Sequence, residues 1–257
     1  DTPMELNLAD FLLDRHVREG RGENAAIKFM DNTITYSQLQ TMVNKFGNAL
    51  KEAGVEAQDR VGIRLVNSPQ AIVTVFAIEK IGAIPVPTSP LWSGEEVAFV
   101  ANNAEMKFFV VNAPLMEAVA AAKPHFRHGT KVIVIGGSPE EVNAAGNFVY
   151  EEMLANGSPE LEATMLQADD IGIILYTSGT TGMPKGCVHF VRPALIEARV
   201  VNKYVYNLKP GDILGGAAPV SFAAGFGTFT LLPFEGGAGV SLIPKFAPPD
   251  MMDLIQK

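Results

Sequence analysis

Cysteine, tryptophan and histidine are scarce in this chain: one Cys, one Trp and four His in 257 residues. A lone cysteine, Cys187, excludes an internal disulfide framework and a cysteine-rich zinc site. It fits a reducing compartment, and a cytoplasmic location is the expectation. Long apolar runs are missing too. No stretch reaches the ~18 uninterrupted apolar residues of a membrane helix, and the run Ala71–Ala77 contains Thr74 and stops at Glu79. The first residues, Asp1–Glu5, lack a basic region followed by an apolar core, so no secretory signal is expected. Basic charge is in deficit: 20 Lys and Arg stand against 28 Asp and Glu, a net charge of −8. With no long basic run, a nucleic-acid backbone is not an expected partner. A small anion is not excluded, because backbone amides bind anions whatever the net charge.

What is present is a globular core. Apolar residues make up 47% and charged residues 19%, which excludes disorder as a global description. The length bounds the chain at one or two domains. Apolar periodicity alternates between helical and strand spacing. Leu39, Val43, Phe46 and Leu50 form one helix face after a capping box, Thr35 with Gln38, and Gly54 marks the stop. Arg60–Val66 alternates as a strand, and Ser68-Pro69 opens a second helix running to Gly82. Ser93 with Glu96 is another capping box. Lys107–Val111, Lys131–Ile135, Ile171–Tyr176, Asp212–Ala217 and Ala238–Ile243 read as strands, with helical stretches at Leu115–Ala122 and through Leu195 to Val205. Apolar strands alternating with helices predict an α/β fold: parallel-rich sheets flanked by helices. Gly136–Ala168, polar and rich in small residues, reads as a subdomain linker or a long loop. A division into residues 1–168 and 169–257 is the resulting expectation.

One segment carries chemistry: Tyr176-Thr177-Ser178-Gly179-Thr180-Thr181-Gly182-Met183-Pro184-Lys185-Gly186, directly after the apolar strand. Its glycines let backbone N–H groups approach an anion. Thr177, Ser178, Thr180 and Thr181 add rotatable hydroxyl donors, and Lys185 adds one cation. The spacing is neither the usual P-loop nor G-x-G-x-x-G. A plain turn of small polar residues is the bland alternative, which the preceding strand and Pro184-Lys185-Gly186 weigh against.

This segment resembles the phosphate-binding signature of the adenylate-forming acyl-CoA synthetase superfamily, matching it from Tyr176 to Gly186. Thr35-Tyr36-Ser37-Gln38-Leu39, Asn67-Ser68-Pro69 and Gly82-Ala83-Ile84-Pro85-Val86-Pro87 resemble the family's opening blocks. The resemblance implies the N-terminal portion of that family's large domain. It implies ATP with Mg²⁺, an acyl-adenylate intermediate, and coenzyme A as co-substrate. It assigns Thr177, Ser178, Gly179, Thr180, Thr181, Gly182 and Lys185 to the phosphates, with Lys185 and Thr180 as the expected catalytic residues. Family parts that contact adenine, ribose and CoA would lie beyond residue 257, so a fragment inactive by itself is expected, and the helix start at Met251–Lys257 reads as a cut within the large domain.

Pro219–Gly227 bears on the acid. Phe222 stands where many members carry His, and Ala223 where amino-acid-activating domains place Asp, so an α-amino acid is disfavoured. Phe222, Ala223, Ala224, Gly225 and Phe226 suggest an apolar pocket wall for a flat acid and resemble the benzoate and 2-aminobenzoate CoA ligase branch. Equally, Phe222 and Phe226, four apart, fit one face of a core helix. A fatty or short-chain acyl-CoA ligase and a non-catalytic nucleotide-binding module are the alternatives. No resident metal ligand set is expected: His125 and His128 read as surface, Cys187 and His189 as packing, and Trp92 as structural.

Overall fold

The computed structural model describes residues 4–177, 182–244, 248, 249 and 252. Its centre is a five-stranded parallel sheet in the order Ile84–Pro87, Arg60–Arg64, Met106–Asn112, Lys131–Ile135, Phe148–Val149. The strands are apolar on both sides because both faces are covered. Phe108, Val110, Ile133 and Ile135 point into one core with Val43, Phe46, Ile72 and Phe76 of the helices Tyr36–Ala53 and Pro69–Lys80. Their neighbours Phe109, Val111, Val132 and Val134 point into a second core with Val97, Val100 and Val119 of the helices Gly94–Asn103 and Met116–Ala122. The two-residue alternation of a strand thus divides the molecule into layers.

Helix boundaries follow local chemistry. The Gln38 amide donates to Thr35 Oγ1 at 3.3 Å, and Gln38 Oε1 accepts from Thr35 N at 2.9 Å. Gly54 ends that helix in the left-handed region at φ 102°. Ser93 and Glu96 form the same box on the helix Gly94–Asn103. Pro69 stands in the first turn of its helix, where its missing N–H costs nothing.

A second sheet has the order Ile213–Gly216, Gly239–Leu242, Ala25–Phe29, Asn32–Thr35; its first three strands are parallel and its last is antiparallel. It joins strands from both sides of residue 168 into one sheet, and its core runs from Leu6 to Leu242. Tyr36 closes the seam, donating its hydroxyl to Ala238 O at 2.5 Å. His16 does the same from the other side: its Nε2 lies 2.5 Å from Phe234 O, and its Nδ1 accepts from Arg21 Nε at 3.0 Å.

One feature differs from the sequence expectation. Gly136–Ala168 holds the helix Pro139–Ala144, the edge strand Phe148–Val149 and the helix Tyr150–Asn156. Elements of two to seven residues are too short to show a period, and Gly136 and Gly137, at φ 75° and 92°, give the segment the look of a loop. The expected parallel-rich α/β architecture is present, with antiparallel pairs at its margins. Ile171–Thr177 and Lys185–Phe190 form an antiparallel hairpin, and Glu5–Leu6 pairs antiparallel with Leu166–Gln167. Among the described residues no helix is long and apolar enough to cross a membrane.

Candidate active site

The strand Arg60–Arg64 comes first in chain order and lies between the second and third strands of its sheet, so the winding direction reverses there. In open α/β sheets ligands bind outside the carboxyl ends of the strands at such a reversal. The exits are bridged in this protein: Val66 N donates to Asn112 Oδ1 at 2.9 Å. Two further side chains of the same exit, Arg64 and Asn67, reach other parts of the site.

Arg64 is 3% exposed and forms no ion pair with a described carboxylate. It donates to three carbonyls, Ser89 O at 2.5 Å, Pro90 O at 2.9 Å and Trp92 O at 3.0 Å. Burial pushes its guanidinium below the usual arginine range, the Glu96 charge acting weakly the other way. The three carbonyl dipoles replace the water this cation has lost. They also fix Trp92, whose ring meets Tyr176 edge-on with centroids 6.3 Å apart. Tyr176 donates its hydroxyl to Asn103 Oδ1 at 2.6 Å, and burial pushes the phenol up to about 12. The residue before the glycine-rich segment is thereby held on ring and hydroxyl alike.

In the hairpin, Tyr176 lies opposite Gly186 and Thr177 opposite Lys185. A Cβ on Gly186 would stand 3.0 Å from Tyr176 Cζ, so any larger residue there would press on the aromatic ring. Thr177 and Lys185 are both exposed, and no described carboxylate forms an ion pair with Lys185. Gly182 is exposed with φ 150°, a conformation open to glycine, and Pro184 is buried. Ser178, Gly179, Thr180 and Thr181 lie outside the described residues.

Met183 lines a cavity of about 1060 Å³ together with Gly94, Phe99, His125, Arg127 and His128. Both histidines are exposed. Among the described residues no group of three His, Cys, Asp or Glu side chains could hold a metal ion. Cys187 is exposed and His189 half-buried on the strand Lys185–Phe190.

The proposed wall residues separate. Phe222 is 37% exposed and caps the short helix Ala223–Phe226, with Ala223 and Ala224 also exposed. Phe226, at 1%, belongs to the main core with Phe229 and Phe234. Gly225 is buried so tightly that a Cβ there would stand 2.1 Å from Pro219 O. The hairpin therefore brings Thr177 and Lys185 together, while Phe222–Phe226 is carried by a separate segment, tied to the exit of the strand Arg60–Arg64 through Asn67. Sequence reading took Asn67 only as part of an opening block and Arg64 only as a strand residue. The carbonyls they hold lie far along the chain, and no local pattern announces them.

A doubly wound parallel sheet whose strand order reverses beside Arg60–Arg64 is the architecture of an α/β ligand-binding domain. The family is narrower: the sequence model of the AMP-binding enzyme family matches residues 13–257, and the chain belongs to that family. It is 28% identical over 239 residues to the 3-hydroxybenzoate–CoA/4-hydroxybenzoate–CoA ligase of Thauera aromatica, covering 93% of this chain and 45% of that enzyme. It is 32% identical over 251 residues to an acetyl-coenzyme A synthetase of Pseudoalteromonas atlantica, covering 91% of this chain and 39% of the synthetase. In structure it superposes on the anthranilate CoA ligase AuaEII in complex with anthranoyl-AMP with a TM-score of 0.91 at 27% identity, over 99% of this chain and 48% of that one. The chain thus spans about half the length of the relatives it matches.

Proposed function

We propose that this chain is the N-terminal part of an AMP-forming acid–CoA ligase, cytoplasmic, that activates an aromatic carboxylic acid of the benzoate or 2-aminobenzoate type. The observation that carries the reading is the strand register, with Thr177 facing Lys185 at the two ends of the glycine-rich sequence. In this reading the acid's carboxylate attacks the α-phosphate of ATP and pyrophosphate leaves. The thiol of CoA then takes the acyl group and AMP leaves. Lys185, with Thr180, stabilises charge as it develops on the departing phosphates. The Thr177, Ser178 and Thr181 hydroxyls and the backbone of Gly179 and Gly182 orient them. Mg²⁺ bound with the nucleotide would add positive charge on the phosphates beside Lys185.

Support for an aromatic acid comes from the exposed Phe222 beside two alanines, and from the hydroxybenzoate and anthranilate ligases among the relatives. The acetyl-coenzyme A synthetase relative favours a second reading, a short-chain aliphatic acid. In both, the 257 residues alone turn over little, because the matched relatives are about twice as long. The test is acid-dependent pyrophosphate release by the full-length protein across benzoates, aminobenzoates and aliphatic acids. Lys185→Ala is expected to slow this release about a hundredfold or more while leaving the unfolding midpoint in place. An unaltered adenylation rate in that variant would refute the Lys185 role, and nucleotide binding without any turnover would point to the non-catalytic module.

A further inference from the structure

We infer that Asn67 is a positioning residue for the acid pocket, setting the register of the segment that presents Phe222; the inference rests on the ligase reading above. Asn67 is 3% exposed at the exit of the strand Arg60–Arg64. Its Nδ2–H donates to Ala218 O at 3.0 Å, and its Oδ1 accepts from Val220 N at 2.9 Å. The two bonded residues flank Pro219. In a parallel ladder one residue bonds its neighbour strand in this manner, its N–H to the residue before and its C=O from the residue after. The side-chain amide therefore stands in for a strand peptide, joining segments 151 and 153 residues apart in sequence.

Pro219 is also fixed from within its own segment. Its carbonyl accepts from Phe222 N at 3.0 Å, and Gly225 packs against the same oxygen so closely that no side chain fits. Phe222 O accepts from Phe226 N at 2.8 Å, and Phe226 is locked in the core. Between these anchors, Phe222, Ala223 and Ala224 are left exposed. Shifting the Asn67 amide shifts Pro219 and, through the turn, Phe222, while Phe226 stays in place. Asn67 suits the task because one group must donate and accept at once. A carboxylate would set an acceptor against Ala218 O, and Ser or Ala would not span the gap.

The test measures KM and kcat for adenylation by the full-length protein, with acid and ATP varied separately. Asn67→Ala is expected to raise KM for the acid about tenfold with KM for ATP unchanged, and Asn67→Gln, which keeps the amide one methylene further out, to reorder preference within the acid panel. Hydrogen exchange at the Val220 amide, which loses its acceptor in Asn67→Ala, is expected to speed up in the same variant. Unchanged acid KM and acid preference in both variants would overturn the inference, as would equal rises in both KM values. If Asn67→Ala does not fold, the Asn67→Gln preference decides alone. Wild-type protein that releases no pyrophosphate with any acid would instead overturn the ligase reading.

Discussion

Glu79 is a carboxyl placed where ionisation is costly, and its replacement by glutamine has a calculable effect. The residue is 3% exposed near the end of the helix Pro69–Lys80, and neither carboxyl oxygen has a hydrogen-bond partner. Leu8, Ala83, Leu166, Gly172 and Val191 line the small cavity at its side. The adjacent Lys80 turns away to Asp14 at 2.7 Å. Burial pushes the Glu79 carboxyl from 4.5 up to about 8. The acid is neutral in the folded chain at pH 7, whereas the unfolded chain releases its proton. Stability from this group is therefore complete below 4.5 and is lost as pH rises towards 8. At pH 7 the loss amounts to about 3 kcal/mol.

His16 works in the opposite direction. Burial, with lesser opposition from its bond to Phe234, pushes it from 6.5 down to about 4. Its contribution is complete above 6.5 and is lost as pH falls towards 4. Between about pH 4.5 and pH 6.5 the two slopes oppose each other and stability is nearly level, and above that window the Glu79 slope stands alone. Urea unfolding across pH should show this decline in wild type and its absence in Glu79→Gln. Parallel curves for the two proteins from about pH 6.5 to pH 8 would refute the assignment of a neutral, unpartnered carboxyl.

Two other perturbations have definite expected outcomes. Asp14→Ala leaves the Lys80 ammonium, 1% exposed, with Asn44 Oδ1 at 2.6 Å as its remaining side-chain acceptor. The expected loss is about 3–5 kcal/mol in chemical denaturation, and Asp14→Ala with Lys80→Met should recover much of it. Arg64→Met removes the guanidinium from three carbonyls, of which Ser89 O keeps Trp92 N as a donor. It should cost about 1–3 kcal/mol and shift the emission of Trp92, the one tryptophan of the chain, to the red. Unchanged emission would separate Trp92 from the Arg64 clamp.

Much of the fold was legible because its signals are local. The capping boxes at Thr35 and Ser93, the stop at Gly54 and the strand Lys131–Ile135 all lie where nearby residues put them. The hairpin Ala25–Phe29 with Asn32–Thr35 was not, since its two-residue turn is Met30-Asp31, with Met30 at φ 53° and no glycine to announce it. The site divides in the same way. The glycine-rich segment is visible in the sequence because its residues are consecutive, and residues 178–181 of it lie outside the described residues. Phe222 and Phe226 share one sequence pattern, yet one is 37% exposed and the other 1%, because Gly225 on Pro219 decides which face turns inward. Arg64 and Asn67 act on carbonyls 25 to 151 residues away, a relation that exists only after folding.

Among the described residues, the strand Lys185–Phe190 pairs only with Ile171–Thr177, and it displays Val188 at 48% and Phe190 at 44% exposure. A free edge with apolar groups is a template for strand addition by any chain that meets it, and one lysine is a modest guard. The strand that begins with Lys185 is thus also where self-association of the isolated chain would start. Protein concentration becomes a variable of its own, and an unfolding midpoint has a one-chain meaning only where dilution leaves it in place.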